Sequence, residues 1–351
     1  MSPATLEQLV EAVRAHPRVL AVGAGTKPRP AAAGDGVTPL SLRALRGIVE
    51  YEPDEFTFTA RAGTPVAELA QVLGERGQYL PFDPPLAAAG ATLGGTVAAG
   101  LSGPGRWRFG GVRDFILGAR LVDGEGRVLR VGGKVVKNAA GFDLPKFLVG
   151  SVGRFGILAE LTFKVFPRPA ARRTLRLEAP DAAAQVRVLQ ACAGGRWELE
   201  ALEASVDDPA VFVRIGAGEA ALGPLVADLL ARVPGRELPA AEAEAVWAGV
   251  AGFTWAHAGG ALAKVVLTSG QLPAFVAWVR AQEGARAWVG AGGNVGYVSL
   301  PAGAILASSP WPGMLLRGRG PLWLGPRHPA AVMTAVKRAL DPSGRFPGLD
   351  D

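Results

Sequence analysis

The sequence is poor in the residues that most often build metal and redox centres. Of 351 residues one is cysteine, Cys192, and three are histidine, His16, His257 and His328. A single cysteine excludes an intrachain disulfide, a cysteine-held iron–sulfur cluster and a cysteine zinc site. The three histidines lie far apart along the chain. Long runs of large apolar residues are also missing. The charge-free stretches Pro84–Gly105 and Ala287–Leu316 are interrupted by Gly and Pro, whereas a membrane span needs ~20 mostly apolar residues. Both stretches read as buried, backbone-rich segments. The start, Met1 to Leu9, has neither a basic n-region nor an apolar h-region, which argues against secretion. A cytoplasmic location is the expectation, with peripheral attachment at a membrane face through partner subunits left open.

Several ligand signatures are absent as well. No Walker A sequence occurs. Gly23-Ala24-Gly25 lacks a third glycine at dinucleotide-binding spacing, where Pro28 stands instead. No basic run is interleaved with stacking aromatics, so nucleic acid is not the expected partner. The nearest approach, Arg106-Trp107-Arg108 with Arg113 nearby, reads as a functional patch or an ordinary solvated loop. No fixed-period repeat is visible.

What is present is a globular composition, 49% hydrophobic and 19% charged. The length suits two or three cores. With 48 glycines and 28 prolines, turns and close backbone contacts are expected to be frequent. The net charge of +6 favours an acidic partner, a carboxylate substrate or a cofactor's phosphates.

Along the chain, Leu6, Leu9, Val10 and Val13 predict an amphipathic helix over Thr5–Ala15. Val19–Val22 predicts a strand that runs directly into Gly23-Ala24-Gly25-Thr26-Lys27. Thr64-Pro65 predicts a helix start, with Thr64 as the cap. Phe115–Val122 and Arg127–Val131 predict a hairpin, and Ile157–Phe166 a strand. Pro167-Arg168-Pro169 marks a domain boundary. Beyond it, strands and helices alternate as in an antiparallel sheet with helices on one face. Pro329–Leu340 predicts a last helix.

Three glycine-rich segments can carry ligand chemistry. The first, Gly23–Lys27, presents bare amides that can converge on an anion, with the Thr26 hydroxyl and the Lys27 charge beside them. An ordinary Gly turn would look the same. The second, Gly90–Gly103, is small along its whole length and interleaves Thr92, Thr96 and Ser102 among the glycines. That suits a large planar or phosphorylated ligand lying on backbone. The third, Gly150-Ser151-Val152-Gly153-Arg154-Phe155-Gly156-Ile157, opens into a strand. The preceding Lys134, Lys137 and Asn138 are ligand-facing or simply hydrated.

These segments, with Ala60-Arg61-Ala62-Gly63-Thr64-Pro65, Leu80-Pro81-Phe82-Asp83-Pro84-Pro85 and Gly133–Leu144, resemble the PCMH-type, or vanillyl-alcohol oxidase-type, FAD-binding domain. Within it the resemblance is to the FAD-binding E subunits of bacterial glycolate oxidases, and it covers about residues 18–169. It implies an α+β fold: a PCMH-type FAD-binding domain of two α+β subdomains over residues 1–169, a smaller α+β cap domain with an antiparallel sheet over 170–325, and a C-terminal helix and tail over 326–351. The implied FAD-contacting residues are Gly23, Ala24, Gly25, Thr26, Lys27, Pro85, Gly90, Thr92, Gly94, Gly95, Thr96, Ser102, Gly153, Gly156 and Ile157. Covalent flavin linkage in such proteins uses a His, Cys or Tyr. No His lies between Arg18 and Ala256, and Cys192 is outside the flavin domain, so the FAD is expected to be non-covalent.

The resemblance further implies a FAD-binding subunit of a 2-hydroxy-acid dehydrogenase complex that oxidises glycolate to glyoxylate. Its partners would be a catalytic flavoprotein subunit and an iron–sulfur subunit. Two departures stand out. Arg345-Phe346-Pro347-Gly348 lacks an Asn common at that point in relatives. The His-rich substrate and metal motifs of the catalytic subunit are missing too, so no metal site is expected. Oxidising a 2-hydroxy acid needs a cation for the carboxylate and a base for the hydroxyl proton. Arg106, Arg108, Arg317 and Arg319 are candidate cations, while His257 and Tyr297 are weak candidate bases. Three readings therefore stand: an electron-relay or accessory subunit, a self-sufficient FAD-dependent dehydrogenase, and a FAD-fold scaffold without catalysis.

Overall fold

A computed structural model describes residues 1–133, 143–327 and 331–350. Lys134, Lys137 and Asn138, and most of the Gly133–Leu144 motif, lie outside the described residues. The chain divides into two compact units. The first is Met1–Ser102, Gly111–Pro167 and Arg327–Asp351; the second is Gly103–Gly110 and Arg168–Pro326. The linear division expected above therefore differs in two places. Residues 103–110 pack with the second unit, and the C-terminal stretch packs with the first.

In the first unit the opening helix spans Leu6–Ala15, and the Thr5 hydroxyl caps it by accepting from the Gln8 amide at 3.3 Å. Its stripe of Leu9, Ala12 and Val13 is buried. Full burial of side chains such as Leu9 and Val13 stabilises by roughly 1.5–3 kcal/mol each. Strand Val19–Val22 pairs in parallel with Thr38–Ser41, and residues 23–37 loop between them. A five-stranded antiparallel sheet follows in the order Ile48–Glu52, Thr57–Arg61, Ile157–Lys164, Ile116–Val122, Val128–Gly132. Phe58 and Phe163 stack across its central pair at 5.9 Å, and Phe82 meets Phe115 at 5.5 Å. The expected hairpin is present at the sheet's edge.

One local expectation is corrected, and one segment without an assigned element gains a helix. Thr64 is not a helix cap. The helix begins at Val66 after Pro65, and the buried Thr64 hydroxyl instead donates to Arg61 O at 2.7 Å and accepts from Gly47 N at 2.9 Å. The Gly90–Gly103 segment contains a short helix. Leu93–Ala99 is helical, capped by Thr92 and closed by Gly100 in the left-handed region. Local backbone freedom at Gly94 and Gly95 argues against helix; packing overrides it.

The last helix covers Ala331–Leu340, its expected first residues lying outside the described ones. It ends in a tight polar knot. Buried Asp341 accepts from Lys337 Nζ at 2.6 Å, Arg345 N at 2.8 Å and Phe346 N at 3.0 Å. Leu340 O accepts from Gly124 N, and Arg345 O from Val19 N, both at 2.8 Å. Arg345 and the buried Phe346 are thus used in docking the tail, at the point where relatives carry the missing Asn.

The second unit is one nine-stranded antiparallel sheet. Its order is Gly235–Glu237, Ala171–Glu178, Ala210–Ala217, Leu199–Ser205, Arg286–Gly290, Val295–Leu300, Ala261–Val266, Gly313–Arg317, Trp323–Leu324. The centre holds two β-α-β-β halves meeting at the pair Leu199–Ser205 and Arg286–Gly290, a duplication without sequence periodicity. Helices Ala182–Ala193, Glu219–Leu230 and Leu272–Arg280 bury one sheet face in a core that includes Leu177, Val213, Leu222, Val265 and Phe275. A fourth helix, Ala240–Gly252, corrects the one-face expectation. Its Trp247 indole donates to Thr174 Oγ1 at 2.8 Å, on the strand positions alternate to that core.

The Asp341 knot makes a stability prediction. Asp341→Ala leaves two amides without their acceptor and takes the carboxylate from the Lys337 ammonium, which keeps the carbonyls of Arg154, Phe346 and Pro347. It is expected to cost about 3 kcal/mol, read as a lower denaturant midpoint. An unchanged midpoint would show that the knot is dispensable.

Candidate functional site

The strongest candidate site lies in the first unit, where the three glycine-rich segments meet. Backbone hydrogen bonds hold them together. Gly94 N donates to Ala62 O at 2.8 Å and Leu93 N to Thr64 O at 2.9 Å, pinning the short helix to the end of the sheet. Gly150 N donates to Val97 O and Val152 N to Ala98 O, both at 2.9 Å, pinning the third segment to the same helix. Such close approach needs bare backbone. A Cβ on Gly94 would meet Ala62 Cβ at 2.7 Å, and one on Gly23 would meet Thr92 Oγ1 at 2.4 Å.

These contacts surround a hollow of about 740 Å³, part of it open to solvent. That is within the range of small-molecule sites. Of the residues singled out above, Gly23, Ala24, Gly25, Thr26, Lys27, Thr92, Gly94, Gly95, Gly153 and Gly156 line it. Pro85, Gly90, Thr96, Ser102 and Ile157 do not. Pro85 is buried in a turn. Gly90 closes a turn with its amide on Ala87 O. The Ser102 hydroxyl accepts from Val112 N at 2.9 Å. Ile157 packs in the core beside Val122. Ala62, Ala98, Ala99, Val152 and Leu158 also line the hollow. Sequence reading missed them because apolar residues that floor a ligand site look like any core residue.

The two ends of the hollow offer different chemistry. At the short helix the first-turn amides are spent: Leu93 on Thr64 O, Gly94 on Ala62 O, Gly95 on Thr92 Oγ1 and Thr96 on Thr92 O. That end presents a smooth floor of Cα and methyl surface, not an anion nest. One polar group there is unmatched, since the Thr96 hydroxyl is buried without a partner among the described residues. The 23–27 loop is the opposite. The amides of Ala24, Gly25 and Thr26 donate to no other group among the described residues. Lys27 is 8% exposed, and its ammonium bonds to Thr26 Oγ1 at 3.1 Å. No carboxylate pairs with it among the described residues, and burial pushes its pKa down to about 8. A buried cation beside open amides is a site for an anion.

In the second unit the structure sorts the other candidates. Arg108 pairs with Glu198 at 2.7 Å. Arg317 donates to Gly260 O and His257 O, so it is structural. The His257 ring bonds to Gly284 O at 2.7 Å and its amide to Ser299 Oγ, which makes it a packing residue. Arg319 lies at a bridge with Ile305. Arg106 is exposed and makes no ion pair among the described residues. Tyr297 is 6% exposed, its hydroxyl pKa pushed up by burial and by Glu203. Lys264, not singled out from the sequence, stands opposite Tyr297 on the neighbouring strand. The signal for it was a lone cation in the apolar run Ala261–Val266.

Comparison with known proteins agrees with the first-unit geometry. Residues 1–132 match the family described as FAD binding domain, and FAD is the cofactor of this part of the chain. The chain is 41% identical over 223 residues to glycolate oxidase subunit GlcE of Escherichia coli (strain K12), covering 62% of this chain and 61% of that protein. It is 31% identical over 153 residues to glycolate oxidase subunit GlcD of Bacillus subtilis (strain 168), covering 43% of this chain and 32% of that protein. The match thus spans about three-fifths of the first relative's length and a third of the second's. Among solved structures, an alkyldihydroxyacetonephosphate synthase aligns with a TM-score of 0.70 at 16% identity, over 98% of this chain and 74% of its own. That likeness bears on fold, and the expected α+β architecture with a PCMH-type FAD-binding domain holds. Among the described residues no helix is long and apolar enough to cross a membrane, and no metal-holding His/Cys/Asp/Glu group is present.

Lys27 makes a pH prediction for the protein without cofactor. Its folded pKa of about 8 lies below the ordinary 10.5. Below pH 8 the buried charge is present in the folded state and its penalty is full. From pH 8 to 10.5 the unfolded chain holds a proton that the folded one has shed, so stability rises with pH. Lys27→Met removes the penalty. At pH 7 the variant is expected to be more stable by up to about 3 kcal/mol. The difference should vanish above pH ~10.5. Urea unfolding at the two pH values checks this, and equal stabilities at pH 7 would contradict it.

Proposed function

We propose that this chain is the FAD-carrying subunit of a glycolate oxidase-type complex. It works beside a catalytic flavoprotein subunit and an iron–sulfur subunit in the oxidation of glycolate to glyoxylate. The observation that carries the reading is the hollow's polarity, with open amides and a Lys27 charge that pairs with no carboxylate among the described residues at one end, and bare backbone at the other. A dinucleotide has the matching halves, an anionic pyrophosphate and flat rings.

On this reading Ala24, Gly25 and Thr26 donate amide hydrogens to the pyrophosphate, and Lys27 neutralises it. Gly94, Gly95, Ala98 and Gly153 present surfaces low enough for sugar and ring to lie against. When bound, FAD supplies the two-electron acceptor. No His, Cys or Tyr is among the residues lining the hollow, which supports non-covalent retention. The accessory role is favoured because His257, the candidate base, is held by packing bonds. The self-sufficient dehydrogenase remains as a second reading, favoured by Lys264 standing opposite Tyr297 on the neighbouring strand of the second unit. The complex would lie in the cytoplasm, with any membrane contact made through partner subunits.

The purified chain alone tests this. It is expected to show the visible flavin band and to lose its flavin on denaturation. It should stay oxidised when glycolate or D-lactate is added without oxygen. Prompt bleaching would instead favour the self-sufficient dehydrogenase, and no band even after FAD titration would overturn both readings. Lys27→Met is expected to weaken FAD binding at least ~10-fold, about 1.4 kcal/mol, measured by fluorescence titration.

A further inference from the structure

One wall of the hollow, formed by Val152, Gly153 and Gly156, is held from behind. Val152 has a φ of +49°, in the left-handed region, although its side chain is branched at Cβ. Glycine adopts that conformation readily. Valine is strained in it and stays there only where its surroundings leave no alternative. On one side the restraint is the short helix, since the Val152 amide donates to Ala98 O at 2.9 Å. On the other side it comes from Arg154, two residues further on.

Arg154 is 3% exposed. A guanidinium in a glycine-rich cofactor segment is a natural partner for a phosphate. Yet Arg154 is not among the residues lining the hollow, whereas Val152, Gly153 and Gly156 around it are. Its bonds run to the C-terminal element. Arg154 Nε donates to Gly348 O at 2.7 Å, and Arg154 O accepts from Lys337 Nζ at 2.8 Å. Side chain and backbone of one residue are thus tied to the last helix and the tail. The tail is itself fixed. Phe346 is buried in the core that holds Ile157. Lys337 Nζ also donates to Pro347 O at 2.9 Å, and Arg327 Nη2 donates to Leu349 O at 3.1 Å.

We propose that Arg154 is a positioning residue of the cofactor hollow. Anchored to Gly348 and Lys337, it keeps the Val152–Gly153 wall in the strained conformation that the cofactor fits, without touching the cofactor. The inference rests on FAD as the occupant, as proposed above. It makes cofactor affinity depend on a tail whose Gly348 does not line the hollow.

Fluorescence titration of the full chain with FAD, paired with urea unfolding of the FAD-free chain, tests this. Arg154→Met removes the bond to Gly348 and keeps an apolar stem. It is expected to weaken FAD binding about 10-fold and, at saturating FAD, to change the visible circular dichroism of the bound flavin. Arg154→Lys can still donate to Gly348 O and is expected to recover most of both. Leu73→Ala is the control for plain instability, because Leu73 is 1% exposed in the helix Val66–Gly74 and does not line the hollow. It is expected to lower the urea midpoint and to leave FAD affinity and dichroism unchanged. Lys337→Gln, which loses the bond to Arg154 O, is read in the same way if Arg154→Met shows no cooperative unfolding. FAD binding by the unaltered chain with the same affinity and dichroism in the variant overturns this inference alone. An equal loss of affinity in Leu73→Ala overturns it too. An unaltered chain that takes up no FAD sinks the function proposed above, and the positioning role with it.

Discussion

One close approach organises the first unit: at Gly94 the short helix Leu93–Ala99 lies against the end of the five-stranded sheet with the Ala62 methyl group facing bare backbone. Gly94 touches Ala62 there, and the Gly94 amide is bonded to the Ala62 carbonyl. This contact fixes the helix, and the helix then fixes the Gly150–Gly156 segment through Val97 and Ala98. Thr92, the helix cap, also borders Gly23. A methyl group at Gly94 or Gly23 would push these surfaces apart. The glycines are therefore required by packing before any ligand is considered.

The same contact divides the chemistry of the hollow. Because the helix amides are consumed in holding the helix, they are not available to an anion. The open donors are those of the loop at Ala24–Lys27, whose amides are free and whose lysine is buried without a carboxylate partner among the described residues. The cost of that buried charge is a reason for the site to be occupied. Rigid floor and unsatisfied donors are thus two consequences of one hydrogen-bond assignment.

The second unit repeats the lesson with side chains. Its sheet buries one face under three helices, and the opposite face gathers Lys264, Tyr297, Trp288 and Glu203 from four strands. In the sequence these residues are spread over positions 203 to 297, each in its own strand segment. Antiparallel register brings them into one row. The candidates that were conspicuous in sequence, His257 and Arg317, turn out to be bound to backbone carbonyls.

Much of the fold was legible because it rests on local chemistry. Periodic apolar residues predicted Leu6–Ala15 and the strand-helix alternation after residue 170, and the runs Phe115–Val122 and Arg127–Val131 predicted the hairpin seen over Ile116–Gly132. The glycine motifs predicted the ligand class, since small residues leave a trace in composition. Thr64 was misread as a cap because its sequence context is that of a cap, while its hydroxyl answers to Gly47 and Arg61 across a turn. The sequence by itself determined where backbone had to be bare and which periodicities had to be buried. The tertiary structure decided which amides remained free, which cations lost their water and which strands stood side by side, because these depend on partners far away along the chain.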